Sequence, residues 1–157
     1  MAALWGIKGI LMNFINKPTQ QELSELLPQW SWIIPKTATP LSITVFGDWL
    51  FGNPDGSLSV LSLLDGTYEF VASNGIEYNK LNKSPEWCDE IFLSSWYQIA
   101  TDNGITPREG ECIGWKVHPI IGGEFSSSNL QIFSMNIYQS LMSQLHSQIQ
   151  GAANAAP

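Results

Sequence analysis

The 20 residues from Gly110 to Asn129, GECIGWKVHPIIGGEFSSSN, constrain the fold more than any other part of the chain. Glu111, Ile113, Trp115 and Val117 alternate with Cys112, Gly114, Lys116 and His118, a period of two that predicts a strand with two distinct faces. Pro119 has no N–H to give a ladder, so pairing is expected to stop there. Gly122-Gly123 permits a tight reversal, and a polar loop follows. A strand, a stop and a turn packed this closely require a second strand nearby, which Leu130–Ser134 can supply.

The rest of the chain reads as elements of both kinds. Thr19-Gln20-Gln21-Glu22 has the form of a capping box, Leu23, Leu26 and Leu27 give the helix an apolar side, and Pro28 closes it. Ile43–Phe51, Leu58–Leu64 and Thr67–Val71 read as an antiparallel meander with turns at Asn53-Pro54-Asp55-Gly56 and Asp65-Gly66. Ser73 or Asn74 opens a helix to about Leu81. Ser84-Pro85 opens another, expected to run unbroken to Asp102 before Asn103-Gly104 stops it. Asn136 to Gln139 reads as a second capping box, and Ile137, Leu141, Leu145 and Ile149 mark the expected apolar stripe of the last helix. Strands grouped between helices predict an α+β domain: an antiparallel, possibly mixed, sheet of about five strands against three to four helices. Residues 1–18 read as an N-terminal extension or short helix, 19–150 as the domain, and 151–157 as a frayed tail.

The ordered set of motifs resembles a bacterial family, domain of unknown function 1851, found at the C-terminus of type VI secretion DNase immunity proteins. That family carries a GxCYGFK-like strand, a PPxLGG turn, an Asn, and a strand-helix ending in a Gln-His-Gln pattern. The matching residues are Gly110, Cys112, Gly114, Lys116, Pro119, Gly122, Gly123 and Asn129, then Gln144, His146 and Gln148. Phe46–Phe51 is similar to its FGD-plus-aromatics strand. Leu63–Gly66 with Glu69–Ala72 is similar to its hairpin, and Trp30-Ser31-Trp32 with Pro35 to the segment leading in. The likeness spans roughly Thr19 to Gln150. Trp115 stands where the family has Phe, Ile113 where it has an aromatic, and His118 where it often has Pro. The resemblance implies a cytoplasmic bacterial protein that binds a cognate toxin, with no enzymatic activity and no cofactor.

Composition narrows the partner. A net charge of −7 makes nucleic acid a poor direct ligand and suits a basic protein. Seven Trp and seven Phe supply a core and leave room for aromatic surface anchors. No stretch reads as membrane-spanning. Cys88 and Cys112 are read as buried free thiols. His118 and His146 are the only histidines; Cys112 and His118 lie six residues apart on one strand face, roughly 20 Å, too far to share a metal. His146 is expected at or near the domain surface, hydrogen-bonded to a loop. Neither a nucleophile elbow nor a phosphate-binding glycine pattern is present.

Partner contacts are expected from Asp48, Trp49, Asp55, Asp89, Glu90 and Glu124, chosen for charge and, at Trp49, for aromatic area. Asp48 could instead be a turn residue bonded to backbone amides. Gly122-Gly123 could be a turn that only glycine fits or a bare backbone that approaches a partner. Lys116 could pair with Glu124 or simply face water. The alternative function is a small-ligand or housekeeping module with an aromatic cleft beside the Gly-Gly loop. A homodimer is as compatible with the aromatic excess as a monomer.

Overall fold

The computed structural model describes residues 14–155, so the expectations for residues 1–13 lie outside it. Strands β1 (Ile15–Asn16), β2 (Thr39–Thr44), β3 (Trp49–Gly52), β4 (Leu58–Ser62) and β5 (Thr67–Ala72) form one antiparallel sheet in sequence order. β6 (Glu111–Trp115) and β7 (Leu130–Ser134) form a second, two-stranded sheet. The α-helices are α1 (Gln20–Glu25), α2 (Gly75–Leu81), α3 (Pro85–Phe92), α4 (Ser94–Asp102) and α5 (Met135–Ala155). The domain is α+β, as the sequence predicts.

Alternation along the meander decides which side each residue serves. Trp49 pairs with Leu61 and Leu50 with Val60. Trp49, Phe51 and Leu61 then join Trp30, Tyr138 and Met142 in one core. Leu50 and Val60 join Phe92, Tyr97 and Ala100 in the other. The small sheet closes the gap: Ile113 donates its N–H to the Val45 carbonyl at 2.7 Å, and its two faces feed both cores, Ile113 and Trp115 one, Cys112 the other.

Several elements depart from the sequence expectation. The predicted strand 43–51 is a hairpin, because Gly47 adopts φ +85° and its N–H returns to the Thr44 carbonyl at 2.9 Å. The helix predicted over 85–102 breaks at Leu93, a non-glycine residue at φ +59°. The break is held by Asp89, whose Oδ1 accepts the Ser95 N–H at 2.9 Å and also the Ser95 hydroxyl. The last helix starts at Met135, not beyond Asn136, and runs through Gly151 to Ala155; alanine's high helix propensity suits the run past Gln150.

The buried face of α5 also differs from the one predicted. Ile137 and Leu141 are exposed, whereas Met135, Tyr138, Gln139, Met142, Ser143 and His146 are buried. This face is selected by polar groups that need partners. Gln139 Oε1 accepts the indole N–H of Trp30 at 2.7 Å and of Trp49 at 3.2 Å, and its Nε2 donates to the Gly47 carbonyl at 2.8 Å. Ser143 donates to the Gln29 carbonyl at 2.6 Å and accepts the Trp32 N–H at 2.9 Å. An apolar stripe would leave all of these groups unsatisfied in the interior.

Candidate functional site

The residues after β6 form the most constrained surface loop. Asn129 clamps it. Its Oδ1 accepts the Val117 N–H at 2.9 Å, and its Nδ2 donates to the Val117 and Glu124 carbonyls at 2.8 Å each. His118 caps the short helical turn Pro119–Ile121 by accepting the Ile120 N–H on Nδ1 at 3.2 Å. Gly122 closes that turn at φ +98°. Gly123 is needed for a different reason: a Cβ there would overlap the Val117 carbonyl. Upstream, a Cβ on Gly114 would overlap the Tyr138 ring, so that glycine lets β6 sit against α5. These three glycines thus have distinct structural tasks.

The clamped loop raises Val117, Ile120, Ile121 and Phe125 into solvent, each between 41% and 58% exposed. Phe125 rests on Trp115 and Trp96, at ring separations of 5.3 and 6.1 Å. Exposed apolar residues held rigidly together mark contact surfaces on soluble proteins. The sequence signal was available in apolar residues flanking a Pro–Gly-Gly turn, where polar ones are usual. Replacing Gly123 with Ala is expected to displace this loop at a cost of about 1–3 kcal/mol, with faster amide exchange confined to residues 117–129. Exchange mass spectrometry with a denaturant titration checks both; unchanged exchange in the loop would show that the close approach to Val117 is not limiting.

Beneath the loop is a polar network centred on the Leu63 peptide. His118 Nδ1 is an acceptor, so its Nε2 carries the proton and donates to the Leu63 carbonyl at 3.0 Å. His146 Nε2 donates to the same carbonyl at 2.6 Å. The His118 ring is therefore neutral, and burial pushes both histidines below the usual range. At the amide end of the same residue, Asp48 Oδ1 accepts the Leu63 N–H at 2.7 Å. Desolvation raises the Asp48 carboxyl to about 7, against the lowering effect of that hydrogen bond, with the nearby Asp65 charge adding to the rise. His146 is thus 1% exposed and interior, although it does bond a loop as expected; a Cβ on Gly66 would overlap its ring. Cys88 and Cys112 are buried and free, and burial raises both thiols. Among the described residues no group of three or more His, Cys, Asp or Glu is placed to hold a metal.

The six residues expected at a partner surface do not converge on one patch. Trp49 is fully buried, its indole committed to Gln139, and offers no anchor. Asp48 is 2% exposed, because it serves the Leu63 amide beneath the surface. Asp55 holds its own turn through the Ser57 N–H and hydroxyl, which keep its carboxyl below the usual range. Asp89 caps α4. Glu90 and Glu124 are exposed, Glu124 on the clamped loop. Gln144 and Lys116 are exposed as well. The structure does bring Asp48 and Glu90 to one cavity of about 160 Å³, together with Asp65 and Glu69. Those last two had a weak signal, since Thr67, Glu69 and Val71 alternate along one side of β5.

Asp48, Trp49, both histidines and both thiols are thus engaged inside the domain, and the surface carries a clamped apolar loop and an acidic cavity, features suited to contact with another macromolecule. Residues 72–146 match the family model for the C-terminal region of the type VI secretion system immunity protein Tdi1. That stretch covers α2 to α4, the small sheet, the clamped loop and α5 as far as His146. The described fold is similar to that in the crystal structure of Atu4351 from Agrobacterium tumefaciens, with a TM-score of 0.55 at 11% identity, over 84% of this chain and 67% of that one. At that identity the likeness is one of fold. No curated protein matches the chain. Among the described residues no helix is long and apolar enough to cross a membrane.

Proposed function

We propose that this protein is a cytoplasmic immunity protein that binds a cognate effector of interbacterial competition, a basic nuclease, and blocks it without catalysis of its own. The observation that carries the reading is the family match over residues 72–146, which includes the whole clamped loop. The loop supports it physically. Its backbone is fixed by Asn129, His118 and Gly123 before any partner arrives, so little ordering entropy is lost on association. The net charge of −7 would steer a cationic partner and speed its capture. A small-ligand reading gains less. The cavity beside Gly122-Gly123 is lined by Val117, Glu124, Ser126, Ser128 and Asn129 and has no aromatic wall.

The test is a calorimetric titration against the purified, catalytically inactive product of the adjacent gene. Nanomolar binding is expected, weakening as salt is raised because the steering charges are screened. Absence of binding to a folded partner would overturn the proposal and leave the family match as a statement about fold.

A further inference from the structure

We propose that the acidic cavity floored by Asp48 receives a single arginine or lysine side chain of the bound effector. The inference rests on the immunity reading for its occupant and on the following geometry for its site. Asp48, Asp65, Glu69 and Glu90 line the cavity, and no Lys, Arg or His is among its lining residues. Asp48 is 2% exposed, with one carboxylate oxygen on the Leu63 N–H. Its other oxygen has no hydrogen-bond partner among the described residues. Among the described residues no fully buried side-chain oxygen or nitrogen lacks a partner, and Asp48 is itself one of the residues that line the cavity.

Size and wall chemistry select the occupant. A volume of about 160 Å³ is small beside the several hundred Å³ of typical small-ligand pockets. The acids surround the space without converging as metal ligands do. Val60, Val71, Ile91 and Leu93 supply apolar wall between them. A long side chain with a methylene stem and a cationic head matches both features, the stem against the aliphatic wall and the head toward Asp48. The cavity is linked to the apolar loop through one residue: Ser62 and Leu64 line it, and the Leu63 carbonyl between them is bonded to His118 at the loop base.

The experiment compares effector binding by Glu69→Lys, Glu90→Lys and Glu109→Lys, each changing the charge equally. Glu109 is exposed and lies outside the cavity. Each cavity variant should weaken binding by at least ~10-fold, chiefly through faster dissociation, while Glu109→Lys should change it by less than ~3-fold. Equal losses in all three would overturn the proposal in favour of general charge attraction, as would no loss in the cavity variants. Should the wild-type protein bind no effector, the immunity reading fails separately, and the cavity is read with N-acetylarginine methylamide as probe. A saturable shift of the Leu63 amide signal that Glu90→Lys abolishes supports the site; a linear, non-saturating shift overturns it.

Discussion

Replacing Gln139 with Leu is expected to destabilise the protein by at least about 3 kcal/mol, because three buried polar groups lose their partner at once and each orphan costs about 1–3 kcal/mol. The groups are the indole N–H of Trp30, the indole N–H of Trp49 and the Gly47 carbonyl. All lie beside a side chain that is itself 0% exposed, so water cannot replace the amide without opening the core. The effect is long-range in the chain. Gln139 joins α5 to the segment after α1 and to the β2–β3 turn, which no hydrophobic contact could orient as specifically. A urea titration should show a lower midpoint with an unchanged slope. Gln139→Glu sharpens the test. Its neutral acid can still accept from the tryptophans and donate to Gly47, whereas its anion cannot donate. Burial raises the folded-state pKa of such a carboxyl, so the variant should be close to wild type in acid and lose stability as pH rises through that value. A loss below about 1 kcal/mol for Gln139→Leu would mean that the network relaxes onto other partners.

Gln139 also shows where sequence reading stops. In the sequence it fits a capping position three residues after Asn136, and local chemistry alone supports that. Its true role depends on Trp30 and Trp49, 109 and 90 residues away, which no local pattern encodes. The elements read correctly are those whose signal is local. Thr19 and Glu22 form the predicted capping box, Asn74 and Ser84 cap their helices, and Asp65-Gly66 closes the β4–β5 hairpin. The misreadings come where one local signal hid another. Gly47 was absorbed into an aromatic run that looks continuous, and Leu93 carries no mark of its left-handed backbone. The aliphatic spacing along α5 points to one buried face, whereas polar partners across the core select another.

The same limit applies to the candidate site. Charge and residue type can nominate Asp48, Asp55, Asp89 and Glu90, but the first three have a structural use available nearby. Asp55 and Asp89 are next to Ser57 and Ser95, whose hydroxyls and amides they hold. Glu90 has no such neighbour and is left for the cavity. The loop glycines were more legible, because a turn and a close approach both demand glycine, and only the structure separates the two demands at Gly122 and Gly123.

Asp48 provides the second large effect, and it runs against the usual pattern for a carboxylate. Its folded-state pKa of about 7 lies above the 3.8 of a free aspartate. Between these values the folded protein retains a proton that the unfolded chain has released. Asp48 therefore favours folding least when ionised, and its contribution falls as pH rises from about 4 through 7. Asn cannot ionise and keeps an oxygen for the Leu63 N–H. Asp48→Asn should thus match wild type near pH 4 and exceed it in stability by up to about 4 kcal/mol near pH 8, at about 1.4 kcal/mol per pH unit of displacement. His118 and His146 act in the opposite sense, their depressed values withdrawing stability as pH falls below about 6.5. They are present in both proteins, so the difference between the two denaturation curves isolates Asp48. A difference that does not grow with pH would place the carboxylate in a wetter setting than its burial indicates. Growth as expected identifies an acid that the fold would be more stable without at neutral pH. Stability does not explain its presence; under the docking proposed above, a cationic side chain entering the cavity would hold Asp48 ionised and recover part of that cost on binding. If the proposed effector docks as inferred, the same Asp48→Asn substitution should strengthen the free protein and weaken effector binding, a divergence that a purely structural carboxylate would not produce.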